Sequence, residues 1–156
     1  MDKKQMLNIN KMTKMKTDLS KILAISGQSG LYLYISQART GAIVEALADK
    51  KRSSVGMTSK ITSLADISIY TEDEEVKLQQ VFLNMKEVLG DAEAPSAKSD
   101  PKDLKALFEK ALPDYDRDRF YVSHMKKVVE WYNALLKYAS FDFVDLDAET
   151  EEAEQE

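Results

Sequence analysis

Residues 31–48 read LYLYISQARTGAIVEALA, and this stretch decides the fold. Leu31–Ser36 is rich in aromatic and branched residues, which pack well on a pleated surface, so it reads as a strand. Arg39-Thr40-Gly41 reads as a hairpin turn and Ala42–Ala48 as the returning strand. The same pattern extends outward in both directions. Ile22–Ile25 (ILAI) is a short apolar run, broken by Ser26-Gly27-Gln28-Ser29-Gly30. After the charged turn Asp49-Lys50-Lys51-Arg52, Ser53–Met57 is a third strand, and Ile67–Tyr70 (ISIY) alternates as the last. Between them, Ser63-Leu64-Ala65-Asp66 has the form of one capped helical turn. Strands this short, joined by turns this tight, imply a small barrel or a strongly bent sheet. Closure would protect edges that so small a sheet otherwise exposes.

At Thr71 the period changes from two to that of a helix. Thr71 with Glu74 three residues on has the spacing of a capping box, and carboxylates in a first turn favour the positive end of the helix dipole. Leu78, Val81, Phe82, Met85, Val88 and Leu89 then form one apolar face, which requires a packing partner, expected to be the sheet. Gly90–Ser99 is a linker by composition. Asp100-Pro101 opens a second helix, with Asp as N-cap and Pro at the first helical position. Leu104, Leu107, Phe108, Ala111 and Leu112 are its stripe, and Pro113 ends it. After the polar loop Asp114–Arg119 a third helix is expected from Ser123, with Met125, Val128, Val129, Tyr132, Leu135, Leu136 and Ala139 on its buried face and Trp131 beside it. The last two helices form a hairpin. The expected class is therefore α+β. A basic arm (1–15) precedes a small β-barrel domain with a packed helix (16–90), a linker (91–99), a helical hairpin domain (100–140) and a disordered acidic tail (141–156).

The 156-residue chain is 31% charged and 44% hydrophobic and has no cysteine. That composition fits a globular protein and excludes a disulfide scaffold or a thiolate site. No apolar run approaches the length of a membrane-spanning helix. Charge is segregated. Residues 1–16 hold five lysines against Asp2, residues 141–156 hold eight carboxylates and no Lys or Arg, and the stretch between is nearly neutral. Such a chain lacks the general basic footprint of a nucleic-acid binder. The N-terminus has no apolar segment of the kind a secretory signal needs. Met15 is read as an alternative start.

His124 is the only histidine and stands at a helix start without a nucleophile nearby, so it reads as a surface or capping residue. Gly27-Gln28-Ser29-Gly30 fails as a nucleophile elbow, because the second glycine comes one residue early and a strand follows. It fails as a phosphate loop, because no Lys-Ser/Thr pair follows Gly30. A turn with φ > 0 at glycine is the better reading. Asp114-x-Asp116-x-Asp118 opens like a calcium loop, but Arg119 stands where Gly is needed and Met125 where Glu is needed. It reads instead as an Asp–Arg network that orders the interhelix loop. Lys50-Lys51-Arg52 could touch phosphate or simply be a solvated turn. Tyr32, Tyr34 and Tyr70 could stack on a ligand or pack within the sheet. Trp131, off the main stripe, could anchor a partner. In the tail, Phe141, Phe143, Val144 and Leu146 amid carboxylates form either a docking motif for a basic groove or a solubilising end whose first residues pack back on the hairpin.

Three segments carry a resemblance: LSKILAISGQSGLYLYISQARTGAIVEAL, SLADISIYTEDEEVKLQQVF and SDPKDLKALFEKALPDYDRDRFYVSHMKKVVEWYN. Collinear over residues 17–140, they resemble a bacterial family known as a domain of unknown function, largely confined to one phylum of Gram-negative bacteria. The resemblance implies a small SH3-like β-barrel domain followed by a C-terminal helical domain. It supplies no activity and no catalytic residue. The expectation is a cytoplasmic, non-catalytic interaction or adaptor protein with a protein partner, no membrane contact, no metal and no cofactor. Partner contacts are expected from Lys50, Lys51, Arg52, Arg117, Arg119, Trp131, Phe141 and Phe143. An accessory factor touching nucleic acid within a ribosome or polymerase assembly is the alternative, and an enzyme with an unrecognised site the third. The sequence leaves open the partner's identity, the oligomeric state and the arrangement of the two domains.

Overall fold

A computed structural model describes residues 16–56 and 58–144. A 3₁₀ turn (Leu19–Lys21) leads into β1 (Ile22–Ile25), followed by β2 (Tyr32–Ala38), β3 (Gly41–Ala46), β4 (Arg52–Gly56) and β5 (Ile61–Ser63). A second 3₁₀ turn (Leu64–Asp66) precedes β6 (Ser68–Tyr70) and β7 (Glu75–Lys77). Three helices complete the chain: α1 (Leu78–Leu89), α2 (Pro101–Ala111) and α3 (Val122–Tyr138).

The five-stranded antiparallel sheet has the order β4-β3-β2-β1-β5, and β6 and β7 form a separate two-stranded ribbon. The expected barrel is not closed: β4 and β5 are the two edges of the sheet and do not pair with each other, so it stays open. It is nevertheless strongly curled. Val55 of edge strand β4 and Ile61 of edge strand β5 pack into one small cluster with Leu23, Ile25, Val44 and Tyr32. The two edges are consecutive in sequence, which lets a short connection hold them on the same side. A bulge between Tyr34 and Ser36 helps the hairpin bend. Gly41 permits the close approach of β4, since a Cβ at this position would strike the Val55 carbonyl.

Beneath the other side of β1 lies the main core. Ile22 and Leu31 join Leu64, Ile69, Leu78, Val81, Phe82 and Met85, and the same cluster continues through Leu104, Phe108, Met125, Val129, Tyr132 and Leu135. β1 is thus buried on both faces, which is why ILAI carries no polar residue. The helices share one core with the sheet.

Three local readings change. Thr71 does not open α1. Its backbone N–H donates to the Glu74 carbonyl at 2.8 Å, and its hydroxyl accepts from Glu74 N–H at 3.0 Å, closing the β6–β7 turn. The capping chemistry was legible, but β7 intervenes before the helix, whose N-cap is Lys77. The last helix starts at Val122, with Tyr121 rather than Ser123 as its cap. The 90–99 linker is tied down. Ala94 is buried, and its N–H and C=O are both held by the Asn133 side chain, at 2.8 and 3.1 Å. The α2 reading holds, with Asp100 accepting from Lys102 N–H and Pro101 in the first turn.

The chain's two ends meet. Thr17 N–H donates to the Asp142 carbonyl at 2.9 Å, and Val144 N–H to the Thr17 carbonyl at 3.0 Å. The Thr17 hydroxyl donates to the Ser140 carbonyl and accepts from its N–H. The basic arm, the Met15 start and the tail beyond Val144 lie outside the described residues. No helix among the described residues is long and apolar enough to cross a membrane.

Candidate functional site

Helical spacing places His124, Lys127 and Trp131 on one face of α3, at i, i+3 and i+7. That face looks across at Ile67–Tyr70 and at the glycine loop Ser26–Gly30, and between them runs a two-part cleft. The first part, about 180 Å³, is lined by Ile67, Ile69, Tyr70, Phe120, Val128 and Trp131, with Arg119 and His124 at its margin. The second, about 460 Å³, lies between Ala24–Gly30, Lys60 and Thr62 on one side and Lys127, Glu130 and Trp131 on the other. Ile67, Lys127 and Trp131 line both. The glycine loop can form this wall because Gly27 and Gly30 adopt φ of 83° and 81°, a region closed to most side chains.

The cleft is apolar along its floor and cationic along its rim. Lys60 and Lys127 are exposed, and among the described residues neither enters an ion pair. Arg119 lies 4.3 Å over the Tyr70 ring and donates from Nε to Asp116 Oδ2 at 2.7 Å. That bond, with a second from Asp118 N–H, holds the Asp116 carboxyl below the usual range. His124 accepts the Tyr121 N–H through Nδ1 at 3.1 Å and stacks on Phe120. Its lone-pair nitrogen is therefore occupied by a helix cap.

The residues picked out from sequence fall in four places. Trp131 and Arg119 are in the cleft. Arg117 is on the same loop but folds back over it while remaining exposed, donating from Nη1 to the Pro113 and Tyr115 carbonyls and lying 4.0 Å over the Tyr115 ring. Lys50, Lys51 and Arg52 sit in and after the β3–β4 turn, away from the cleft. Arg52 pairs with Glu45 at 3.2 Å, and Lys50 holds φ of 63°. Phe141 and Phe143 are packed in the fold. Phe141 stacks on Tyr132 at 4.5 Å, and Phe143 lies against Phe82 at 6.4 Å. The sequence reading missed Lys60, Lys127, Glu130 and Ile67. The helical spacing of Lys127 with Trp131 was the available signal; Lys60 and Ile67 lie outside the strands and join the cleft through tertiary packing, which no local pattern marks. Among the described residues no group of acidic or histidine side chains could hold a metal.

Two family models match the chain. One, described as a domain of unknown function (DUF5606), covers residues 19–64, and a second, also a domain of unknown function (DUF6852), covers residues 67–135. No curated protein matches the chain. The solution NMR structure of a protein from Bacteroides vulgatus is 41% identical, with a TM-score of 0.66, covering 77% of this chain and 87% of its own. The chain belongs to that protein's family. It is a bacterial family of unknown function, and the cleft lies where its two matched segments meet: Ala24–Gly30, Lys60 and Thr62 come from the first, and Ile67–Tyr70 and the α3 residues from the second.

Proposed function

We propose that this is a cytoplasmic, non-catalytic interaction protein that takes a segment of a protein partner in the cleft between Trp131 and the glycine loop. The observation that carries this reading is the half-buried Trp131 standing between an apolar floor and two lysines that form no ion pair among the described residues. An aromatic anchor beside a cationic rim suits an extended segment with apolar and acidic side chains. The same residues give poor support to catalysis. Asp116 and Arg119 neutralise one another, His124 is spent on its cap, and Glu130 has no acidic neighbour on the cleft. The strand order and the curl around Val44 support an SH3-like barrel left open between β4 and β5.

The test is affinity purification from the cell of origin with wild-type, Lys127→Glu and Lys50→Glu/Lys51→Glu chains. A partner recovered by wild type and by the turn variant, but lost with Lys127→Glu, supports the cleft. Loss only with the turn variant, together with salt-sensitive recovery of nucleic acid, supports the second reading, an accessory factor that meets RNA or DNA at Lys50 and Lys51. That alternative rests on the exposure of both lysines and the absence of an ion pair for either among the described residues.

A further inference from the structure

The cleft has a candidate occupant in the chain itself. Beyond Val144 the sequence continues as Asp145-Leu146-Asp147-Ala148-Glu149-Thr150-Glu151-Glu152-Ala153-Glu154-Gln155-Glu156. It carries seven carboxylates, no Lys or Arg, and a single large apolar residue, Leu146. We propose that residues 145–156 dock in the Trp131 cleft and compete there with the partner segment. This rests on the interaction reading above and names how that site is regulated.

Three observations converge. The first is charge. The groups facing the cleft are Lys60, Lys127, Arg119, His124 and Glu130, with Arg119 already paired to Asp116. Lys60 and Lys127 are therefore the cations left to meet a carboxylate, and they stand on opposite walls, one on the sheet side and one on α3. A strand of alternating acidic residues laid along the cleft meets both.

The second is position. After α3 the chain turns back, so that Phe141 stacks on Tyr132, the neighbour of Trp131. The tail leaves the fold at Val144, anchored by its hydrogen bond to Thr17. It therefore departs within a few residues of a ring packed on α3, the helix that carries Trp131. Twelve residues reach at most roughly 40 Å when extended, a length on the scale of a small domain. The third is apolar fit. The floor of Ile67, Ile69 and Val128 beside Trp131 offers Leu146 a place that no other residue of the tail needs.

A tethered segment acts at an effective concentration of order millimolar, so a weak tail can still hold off a partner of modest affinity. A partner must then either bind more tightly or displace the tail with a denser acidic segment of its own. Salt screens both contacts.

Trp131 is the chain's single tryptophan, so its fluorescence reports the cleft without a label. The full chain is compared with a full-length variant in which the seven carboxylates of 145–156 become Asn or Gln. At low salt, acrylamide quenching of Trp131 should rise about twofold or more in the variant, and wild type should approach the variant's value in high salt. A synthetic peptide of residues 145–156, added to the neutralised chain, should restore protection saturably. It should fail to do so when Lys60→Glu and Lys127→Glu are added, with circular dichroism confirming that each variant is folded. Equal quenching constants in the two full-length chains would overturn the proposal, as would peptide binding indifferent to Lys60 and Lys127. If the neutralised chain still captures a partner through Lys127 while its quenching equals that of wild type, the tail is wrong and the cleft stands. If neither chain captures one, the interaction reading itself fails.

Discussion

The Asn133 side chain stands in for a strand partner to Ala94: its carbonyl accepts the Ala94 N–H at 2.8 Å and its amide donates to the Ala94 carbonyl at 3.1 Å. Thirty-nine residues separate the two. A segment whose composition reads as a linker is thereby fixed to the helix that carries the cleft. Replacing Asn133 with Ala leaves both backbone groups of a buried residue without a partner. Asn133→Ala should cost about 2–4 kcal/mol, taking one to two per unsatisfied group. Urea unfolding checks this, and hydrogen exchange at Ala94 should accelerate before any other slow amide.

Tyr132 makes the opposite case. Its ring is fully buried, and its hydroxyl has no hydrogen-bond partner among the described residues. Burial pushes its ionisation above the ordinary tyrosine value. Tyr132→Phe keeps the ring against Phe141 and Phe82 while removing a desolvated polar atom. It should be neutral or stabilising by about 1 kcal/mol, seen as an unchanged or raised melting temperature. A marked loss of stability would mean that the hydroxyl is satisfied in solution.

Gly41 tests the sheet's curvature. A methyl group there meets the backbone of Val55 rather than a side chain that could move aside. Gly41→Ala should destabilise by about 1–3 kcal/mol through forced separation of β3 from β4. Gly27→Ala, with open space around its Cβ, should be penalised only for its positive φ, by roughly 1–2 kcal/mol.

The Asp116–Arg119 bond predicts a pH dependence. Asp116 has a depressed pKa in the folded chain, chiefly from the Arg119 hydrogen bond. Its contribution is therefore fully present above the unfolded value of about 4 and is lost as pH falls through the lower folded value. The difference in unfolding midpoint between wild type and Asp116→Asn should be constant at neutral pH and shrink below about pH 4. Because the pair is exposed, the difference should also diminish in high salt. A gap that widened on acidification would contradict the assignment.

Much of the fold was legible in local chemistry. The hairpin at 31–48, the glycine turn, the Asp100-Pro101 start and the helical stripes are consequences of side chains acting on their own backbone or with a fixed period. Open rather than closed edges were not legible, because pairing of β4 with β5 depends on how far the curl proceeds around Val44 and Val55. The Thr71 box was misplaced for a related reason. Its bonds to Glu74 serve a turn as well as they serve a helix, and only the Ile69–Val76 pairing distinguishes the two. Of the candidate site, Trp131 and Arg119 could be picked out individually, whereas Lys60 became relevant only when the sheet brought it opposite Lys127. For Phe141 and Phe143 composition leaves docking and packing back on the hairpin equally open, and the structure packs both rings against the core. The clasp between Thr17 and residues 140–144 joins opposite ends of the chain, and no local pattern encodes it.

Site-specific photocrosslinking tests the central claim most directly. A benzophenone amino acid is placed at Trp131 in the full chain, and in parallel at Tyr121, which is exposed but outside the cleft. In the cell of origin, irradiation should yield one discrete protein adduct from position 131, stronger when the carboxylates of 145–156 are neutralised and absent with Lys127→Glu. Adducts equal at both positions, or none at 131 under either tail, would contradict a partner seated in this cleft.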